Sequence, residues 1–211
     1  EPKFLSWAPL LGQIDSFPYN LPYLEFFIWN FLSGVYMHLE SKEIINRPLE
    51  EVYQLVRDDL AKLVPYMPNV SKIEVKKHAP KDANSIEVIN HWYARADIPA
   101  MLTKFIKPEL FSWKDFALWH NEKHCVEYQL ESFLANDLFE AKGLNSFTAV
   151  GPDKTELKIS CQIKLYPEKV PGVPKLLART ILPGIEAILE KVLGPNLTSL
   201  GKGLNEYLKN K

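Results

Sequence analysis

The sequence predicts an α+β fold in which a curved antiparallel sheet grips a long, kinked C-terminal helix. The longest helical pattern lies between residues 174 and 211, where apolar residues recur mostly at three- and four-residue spacing. A series of strand-like segments joined by short turns precedes it, and each segment has one apolar face. Because an amphipathic helix is unstable alone in water, we expect this helix to cover the apolar face of the sheet.

The composition is that of a globular chain and gives no support for a nucleic-acid-binding or membrane-spanning protein. Hydrophobic residues make up 46% and charged residues 24% of 211 residues, and the formal net charge is −1. This length fits one domain with an extension. The absence of a basic excess gives no indication of a nucleic-acid partner. No apolar run reaches the roughly 18 residues that span a bilayer, so we expect a soluble, by default cytoplasmic, protein. Because the chain starts at Glu1, a leader could have been removed.

The N-terminal residues 1–34 form an extension to a domain that we assign to residues 35–211. Prolines break the first part of the extension, and the apolar segment PYLEFFIWNFL follows. Pro22 near its start and Gly34 after its end are typical of helix boundaries. We expect this helix to pack against the domain. The alternative is a membrane-surface or partner-binding helix, although the segment lacks the lysines and arginines of interfacial helices.

Strand and helix patterns of the domain follow in a defined order. Residues 35–45 alternate as a strand, and residues 49–67 have a helical stripe of apolar side chains. Six further strands are predicted at 70–78, 85–95, 112–121, 124–132, 138–150 and 154–166. The last strand alternates most clearly, so Cys161 should be buried. The only other cysteine in the sequence is Cys125. We therefore expect two buried free thiols, and a disulfide bond between them is the alternative.

Two segments have breaks that matter for function. Residues 97–111 interrupt the strands, and their apolar residues Ile98, Met101, Leu102, Phe105 and Ile106 form a short helical stripe before Pro108. We predict that the loop from Ile98 to Pro108 is a gate over the mouth of a cavity, and a fixed cap over the core is the alternative. Pro183 and the Gly194-Pro195 pair divide the C-terminal pattern into predicted helices at 174–182, 184–193 and 196–209.

The order of elements resembles that of the START-like, or helix-grip (SRPBCC), superfamily, over about residues 35–209. A first strand, the turn Asn46-Arg47-Pro48 and the helix LEEVYQLV open the pattern. The superfamily's helix of the form xxVWxLVxD is matched here by Val52, Leu55, Val56 and Asp58. The segment Ile98-Pro99-Ala100-Met101-Leu102 is also similar, more weakly, to a helical loop of PRELI-type phospholipid transfer proteins.

The resemblance implies a hydrophobic tunnel between the sheet and the C-terminal helix. Ligands of such folds are lipids, sterols or polyketide-like molecules. Small or polar residues on the inner face would help to form a cavity, and aromatic residues would line it. The candidate ligand-binding residues are Asn90, Trp92, Ile98, Met101, Leu102, Phe105, Trp119, Tyr128, Phe147 and Ile185. The aromatic members could equally fill a packed core.

No sequence motif indicates catalysis. His120 and His124 lie four residues apart across a turn, and no cysteine or carboxylate completes a metal set, so we expect no metal and no cofactor. Asp115, Glu127 and Glu131 lie in strands. Glu127 and Glu131 share a face with Gln129 that we assign to solvent. No GxSxG, Walker or GxGxxG sequence is present.

Three functions from different classes remain open. We favour a non-enzymatic carrier or sensor that binds or transfers a hydrophobic small molecule, such as a lipid, sterol or fatty-acid-like ligand. This function is compatible with transient membrane contact. The second candidate is an enzyme of the cyclase or aromatase type. The third is an interaction module that uses the apolar N-terminal helix. A buried ionisable residue in the cavity would favour the enzyme. An empty, entirely apolar tunnel would favour the carrier, and a filled core would favour the interaction module.

Overall fold

A computed structural model describes residues 35–95, 100, 112–133, 139–166, 169, 180 and 198–211. They belong to a compact unit, Gly34–Lys211. The strands are β1 (Val35–Ile45), β2 (Val70–Pro80), β3 (Ser85–Ala94), β4 (Ser112–His120), β5 (Cys125–Ser132), β6 (Phe139–Gly151) and β7 (Lys154–Leu165). The helices are α1 (Leu49–Asp58), a 3-10 helix (Leu60–Tyr66) and α2 (198–209).

The strands form one seven-stranded antiparallel sheet in the order β1-β7-β6-β5-β4-β3-β2. Consecutive strands from β2 to β7 are neighbours, as sequential hairpins require. The first strand instead lies beside the last, with Leu39 opposite Cys161. The predicted α+β class, an antiparallel sheet with a C-terminal helix, is confirmed, and all seven strands lie within two residues of their predicted bounds.

Side-chain alternation places one face of each strand inside the molecule. On β7 the residues from Leu157 to Leu165 alternate between buried and partly or fully exposed positions. Cys161 is 4% exposed, which confirms its predicted burial. Both cysteines are free thiols, but Cys125 is half-buried rather than buried. Its side chain lies on the outer face with Glu127 and Gln129, because odd-numbered residues of β5 point away from the core.

The first helix is shorter than its apolar stripe predicts. α1 ends at Asp58, and residues 60–66 continue as a 3-10 helix that contains Pro65. Proline cannot donate the i→i−4 hydrogen bond and clashes with the preceding turn, which disfavours a continuous α-helix here. Val52, Tyr53 and Val56 of α1 are buried in the core of the domain.

The described C-terminal helix covers the same core. Its stripe Leu200, Leu204 and Leu208 is at most 8% exposed and joins the α1 residues in one cluster. The Asn205 side chain links the helix to the edge of the sheet, since its amide donates to the Ile44 carbonyl at 2.9 Å. Within the described residues, no helix is long and apolar enough to cross a membrane.

Several predicted elements lie outside the described residues. They are the N-terminal extension 1–34, most of the segment 97–111, and nearly all of the predicted helices 174–182 and 184–193. The gate, the fixed cap and the two kinks therefore stay predictions.

Candidate functional site

The inner face of the sheet borders a cavity of about 120 Å³ beside Leu200 of α2. The cavity lies beside a small apolar cluster of Ala141, Cys161 and Ile163. Its apolar wall comes from strands and from the helix: Leu39, Leu130, Ile159, Cys161, Ile163 and Leu200. Trp92, Trp113, Tyr128, Asp115 and Asn145 complete the described lining. The arrangement is therefore a mostly apolar pocket with a few polar groups.

Two tryptophans form one side of the pocket. Trp92 on β3 and Trp113 on β4 are directly opposite in the strand register. Their rings are stacked, with centroids 5.8 Å apart and an interplanar angle of 11°. Directly opposed residues of an antiparallel pair bring their side chains together, so strand pairing alone positions this pair. Such a surface favours contact with a flat apolar molecule.

Tyr128 lies across the sheet because its neighbour on β6 is a glycine. Tyr128 and Gly143 are register partners. A Cβ atom on Gly143 would overlap the Tyr128 ring and the Ser160 carbonyl oxygen. The Tyr128 hydroxyl donates to that carbonyl at 3.2 Å, which fixes the ring over the glycine. Burial raises the pKa of Tyr128 far above its ordinary value and also raises that of the Cys161 thiol, so both are neutral at physiological pH.

Asp115 is the acidic residue among the described residues that line the cavity. It keeps some accessible surface and lines the pocket, while its Oδ1 atom is fully covered. Trp92 Nε1 donates to its Oδ2 at 3.2 Å, and Asn90 lies directly opposite Asp115 on the neighbouring strand. Burial raises the pKa of Asp115 to about 6, and the neighbouring Trp92 and Asn90 side chains only partly oppose this. Asp115 therefore changes charge close to neutral pH.

Three side-chain oxygens in or next to the cavity are buried without a partner among the described residues: Asp115 Oδ1, Asn90 Oδ1 and Asn145 Oδ1. Asn90 is 3% exposed and lies opposite Asp115 in the register. Asn145 lies two strands from Asp115, at the level of Trp119 in the strand register. A buried acceptor without a donor costs about 1–3 kcal/mol. These oxygens can accept hydrogen bonds from a bound molecule.

The predicted ligand-binding residues separate into three groups. Trp92 and Tyr128 line the cavity, and Asn90 contacts Asp115 beside it. Trp119 and Phe147 instead pack edge-to-face or tilted around Tyr53 in the closed core, with Tyr53–Trp119 centroids 5.3 Å apart. The remaining five lie outside the described residues: Ile98, Met101, Leu102, Phe105 and Ile185.

Sequence reasoning missed Trp113 and Asp115 as site residues. Alternation in the strand SWKDFALWH places Asp115 on the same face as Trp113, Ala117 and Trp119. Ala117 and Trp119 are both buried. An acidic residue in the middle of an apolar face was the available signal, because such a face is normally free of charge.

The two close histidines lie beside different carboxylates rather than around one site. His124 Nε2 lies 3.0 Å from Glu50, and His120 Nε2 lies 3.7 Å from Glu127. Across the described part of the chain, no group of three or more histidine, cysteine, aspartate or glutamate residues could hold a metal ion.

Comparison with known proteins identifies the fold. No protein-family model matches the sequence, and no curated protein matches it. Among solved structures, Zhui aromatase/cyclase from Streptomyces sp. R1128 is similar at a TM-score of 0.56 and 13% identity, over 82% of this chain and 96% of that one. Norcoclaurine synthase from Thalictrum flavum is similar at 0.52 and 16% identity, over 87% and 92%.

A protein from Thermus thermophilus is similar at a TM-score of 0.54 and 17% identity, over 81% of this chain and 99% of that one. These likenesses confirm that the chain has the START-like, helix-grip fold that its element order resembles. The weaker similarity to PRELI-type proteins stays a prediction. At such low identity a shared fold does not define function, because function depends on the residues of the site.

Proposed function

We propose that this protein binds a hydrophobic small molecule in the cavity between the sheet and α2. The observation that carries the proposal is a pocket on the inner face whose wall is mostly apolar and aromatic, including the stacked pair Trp92 and Trp113. An inner face that served only as a core would be filled at this point, since protein interiors leave few voids larger than a water molecule.

The contrast between the two ends of the sheet supports this proposal. Under α1, the rings of Tyr53, Trp119 and Phe147 fill the space between helix and sheet. Beside α2, Leu39 and Cys161 instead line open volume. The same fold is thus closed at one end by aromatic packing and leaves a pocket at the other.

A fluorescent probe tests the proposal. N-phenyl-1-naphthylamine, which is uncharged and fluoresces in apolar surroundings, should bind saturably to one site. Leu39→Trp places a larger ring in the pocket and should weaken binding about tenfold or more, since overpacking costs about 1–3 kcal/mol. Leu144→Trp is the matched control, because Leu144 is 45% exposed on the outer face of the sheet. Absence of saturable binding, or equal binding by both variants, contradicts the proposal.

Asp115 supports a second candidate function, general acid–base catalysis on the bound molecule. A general base works best when its pKa lies near the operating pH, and burial raises the pKa of Asp115 to about 6. Its carboxyl group lies in an apolar pocket, which is the environment in which enzymes adjust carboxyl groups. A buried ionisable residue in the cavity is the feature that we expected of an enzyme. Asp115 therefore favours an enzyme over a purely passive carrier.

Deuterium exchange tests the catalytic candidate without a known substrate. The carboxylate of Asp115 would take a methyl proton from 2-acetylnaphthalene in heavy water, and the enolate would then accept a deuteron. Proton NMR should show exchange faster than in buffer, abolished by Asp115→Asn and unaffected by Asp153→Asn in the exposed β6–β7 turn. Exchange at the buffer rate would leave binding as the only function that the site supports.

A further inference from the structure

We propose that the Asp115–Asn90 corner of the cavity recognises a hydrogen-bond donor, an ammonium or hydroxyl group, on an otherwise apolar, flat ligand, and rejects ligands that end in a carboxylate. This inference rests on the proposed function and names the chemical class of molecule that the pocket takes. It follows from which polar atoms are already paired, which are not, and what surrounds them.

Two covered oxygen atoms of the described residues lack a donor at this corner. The indole N–H of Trp92 is used by Asp115 Oδ2, at 3.2 Å. Asp115 Oδ1 and Asn90 Oδ1 are both covered and have no donor among the described residues. Oxygen atoms in this state gain most from a ligand that brings N–H or O–H groups. A ligand carboxylate brings further acceptors and leaves the same oxygens unpaired.

The charge near Asp115 also favours a ligand that carries a hydrogen-bond donor. The described side chains that interact with the Asp115 carboxyl are those of Trp92, Asn90, Tyr128 and Cys161, and all four are neutral. No lysine, arginine or histidine among the described residues forms an ion pair with it. A buried carboxylate without a cation attracts an ammonium group and repels a second carboxylate.

The aromatic wall defines the rest of the ligand. Trp92 both donates to Asp115 and stacks on Trp113, so the polar corner and the flat surface are adjacent. Aromatic faces bind flat apolar rings and also attract cations. A molecule with a flat apolar body and a donor at one end satisfies both features together.

A matched set of naphthalenes tests the inference on the full chain. The probes are 2-(aminomethyl)naphthalene, 2-naphthalenemethanol, 2-methylnaphthalene and 2-naphthoic acid, each measured by displacement of N-phenyl-1-naphthylamine. At pH 8 the amine and the alcohol should bind about 10- to 100-fold more tightly than the acid, the range expected for hydrogen bonds to a charged group. Asp115→Asn should reduce the advantage of the amine about tenfold or more, and Asp153→Asn should not change it.

The pH dependence gives a second readout that needs no variant. Besides Asp115, the described titratable groups of the cavity are Tyr128 and Cys161, and burial keeps both neutral from pH 5 to pH 8. At pH 5 Asp115 is mostly protonated and can donate to a ligand, so the acid should approach the alcohol in affinity. If the acid binds as well as the amine at pH 8, or Asp115→Asn leaves the ranking unchanged, the inference is wrong. If the fluorescent probe itself does not bind, the proposed function fails and the inference with it.

Discussion

At the scale of single residues, Asp115 links the stability of the domain to pH. Its pKa is raised from 3.8 to about 6 in the folded chain, so the folded state holds the proton more tightly than the unfolded state. The contribution of protonated Asp115 to the free energy of unfolding is fully present below pH 3.8. It is lost as the pH rises through about 6. Ionisation of this carboxyl in the folded chain therefore costs about 3 kcal/mol at pH 8.

We expect Asp115→Asn to remove this cost, because an amide has no charge to desolvate. The free energy of unfolding of the variant minus that of the wild type should increase by about 2 kcal/mol from pH 4 to pH 8. Urea denaturation at the two pH values measures it, and Asp153→Asn in an exposed turn serves as the control. A difference that does not change with pH would show that Asp115 is not desolvated as described.

Gly143 is a second residue whose role can be tested alone. An alanine Cβ there overlaps the Tyr128 ring and the backbone oxygen of Ser160, whereas one on Gly151 lies at an ordinary 3.6 Å from Lys154. Gly143→Ala should lower the free energy of unfolding by about 1–3 kcal/mol, the usual cost of overpacking, and Gly151→Ala should change it much less. Thermal denaturation of both variants decides this. Equal effects would mean that Tyr128 does not lie over Gly143.

At the scale of elements, the docking of α2 depends on one apolar stripe. Leu204 is fully buried in the core, whereas Lys202 is exposed on the opposite face of the same helix. Leu204→Ala should lower the free energy of unfolding by about 2–5 kcal/mol, the cost of a large-to-small core substitution. Lys202→Ala should have little effect because it touches no core. Equal denaturation midpoints for the two variants would contradict the docking of α2 on the sheet.

The elements also show what the sequence could and could not predict. The strand β7 was predictable because its strict alternation allows only one register with its apolar face inside. The two glycines of α2 reduce intrinsic helix stability and gave no positive signal. In the structure a Cβ on Gly201 would lie 2.5 Å from Glu43 Cγ and one on Gly203 3.1 Å from the Tyr66 carbonyl, so both allow close packing of the helix. Such contacts depend on tertiary neighbours that no local pattern specifies.

At the scale of the whole molecule, the fold was easier to predict than the site. Side-chain period and turn positions define strands locally, whereas a cavity is what packing leaves empty. Trp92 and Trp119 look alike in the sequence, since both alternate onto the inner face of neighbouring strands. Trp92 lines the pocket, while Trp119 is 4% exposed and packs against Tyr53, a residue of α1. Whether such a tryptophan is packed in the core or lines the pocket depends on where α1 lies across the sheet.

This difference allows one direct test of the central claim, that a hydrophobic molecule binds between the sheet and α2. The indole N–H signals of a ¹⁵N-labelled sample, assigned with single Trp→Phe variants, should be followed while N-phenyl-1-naphthylamine is added. We predict that the Trp92 and Trp113 signals shift together and saturate at one equivalent, and that the Trp119 signal moves least of the three. Unchanged Trp92 and Trp113 signals, or a Trp119 signal that shifts as much as theirs, would contradict the account.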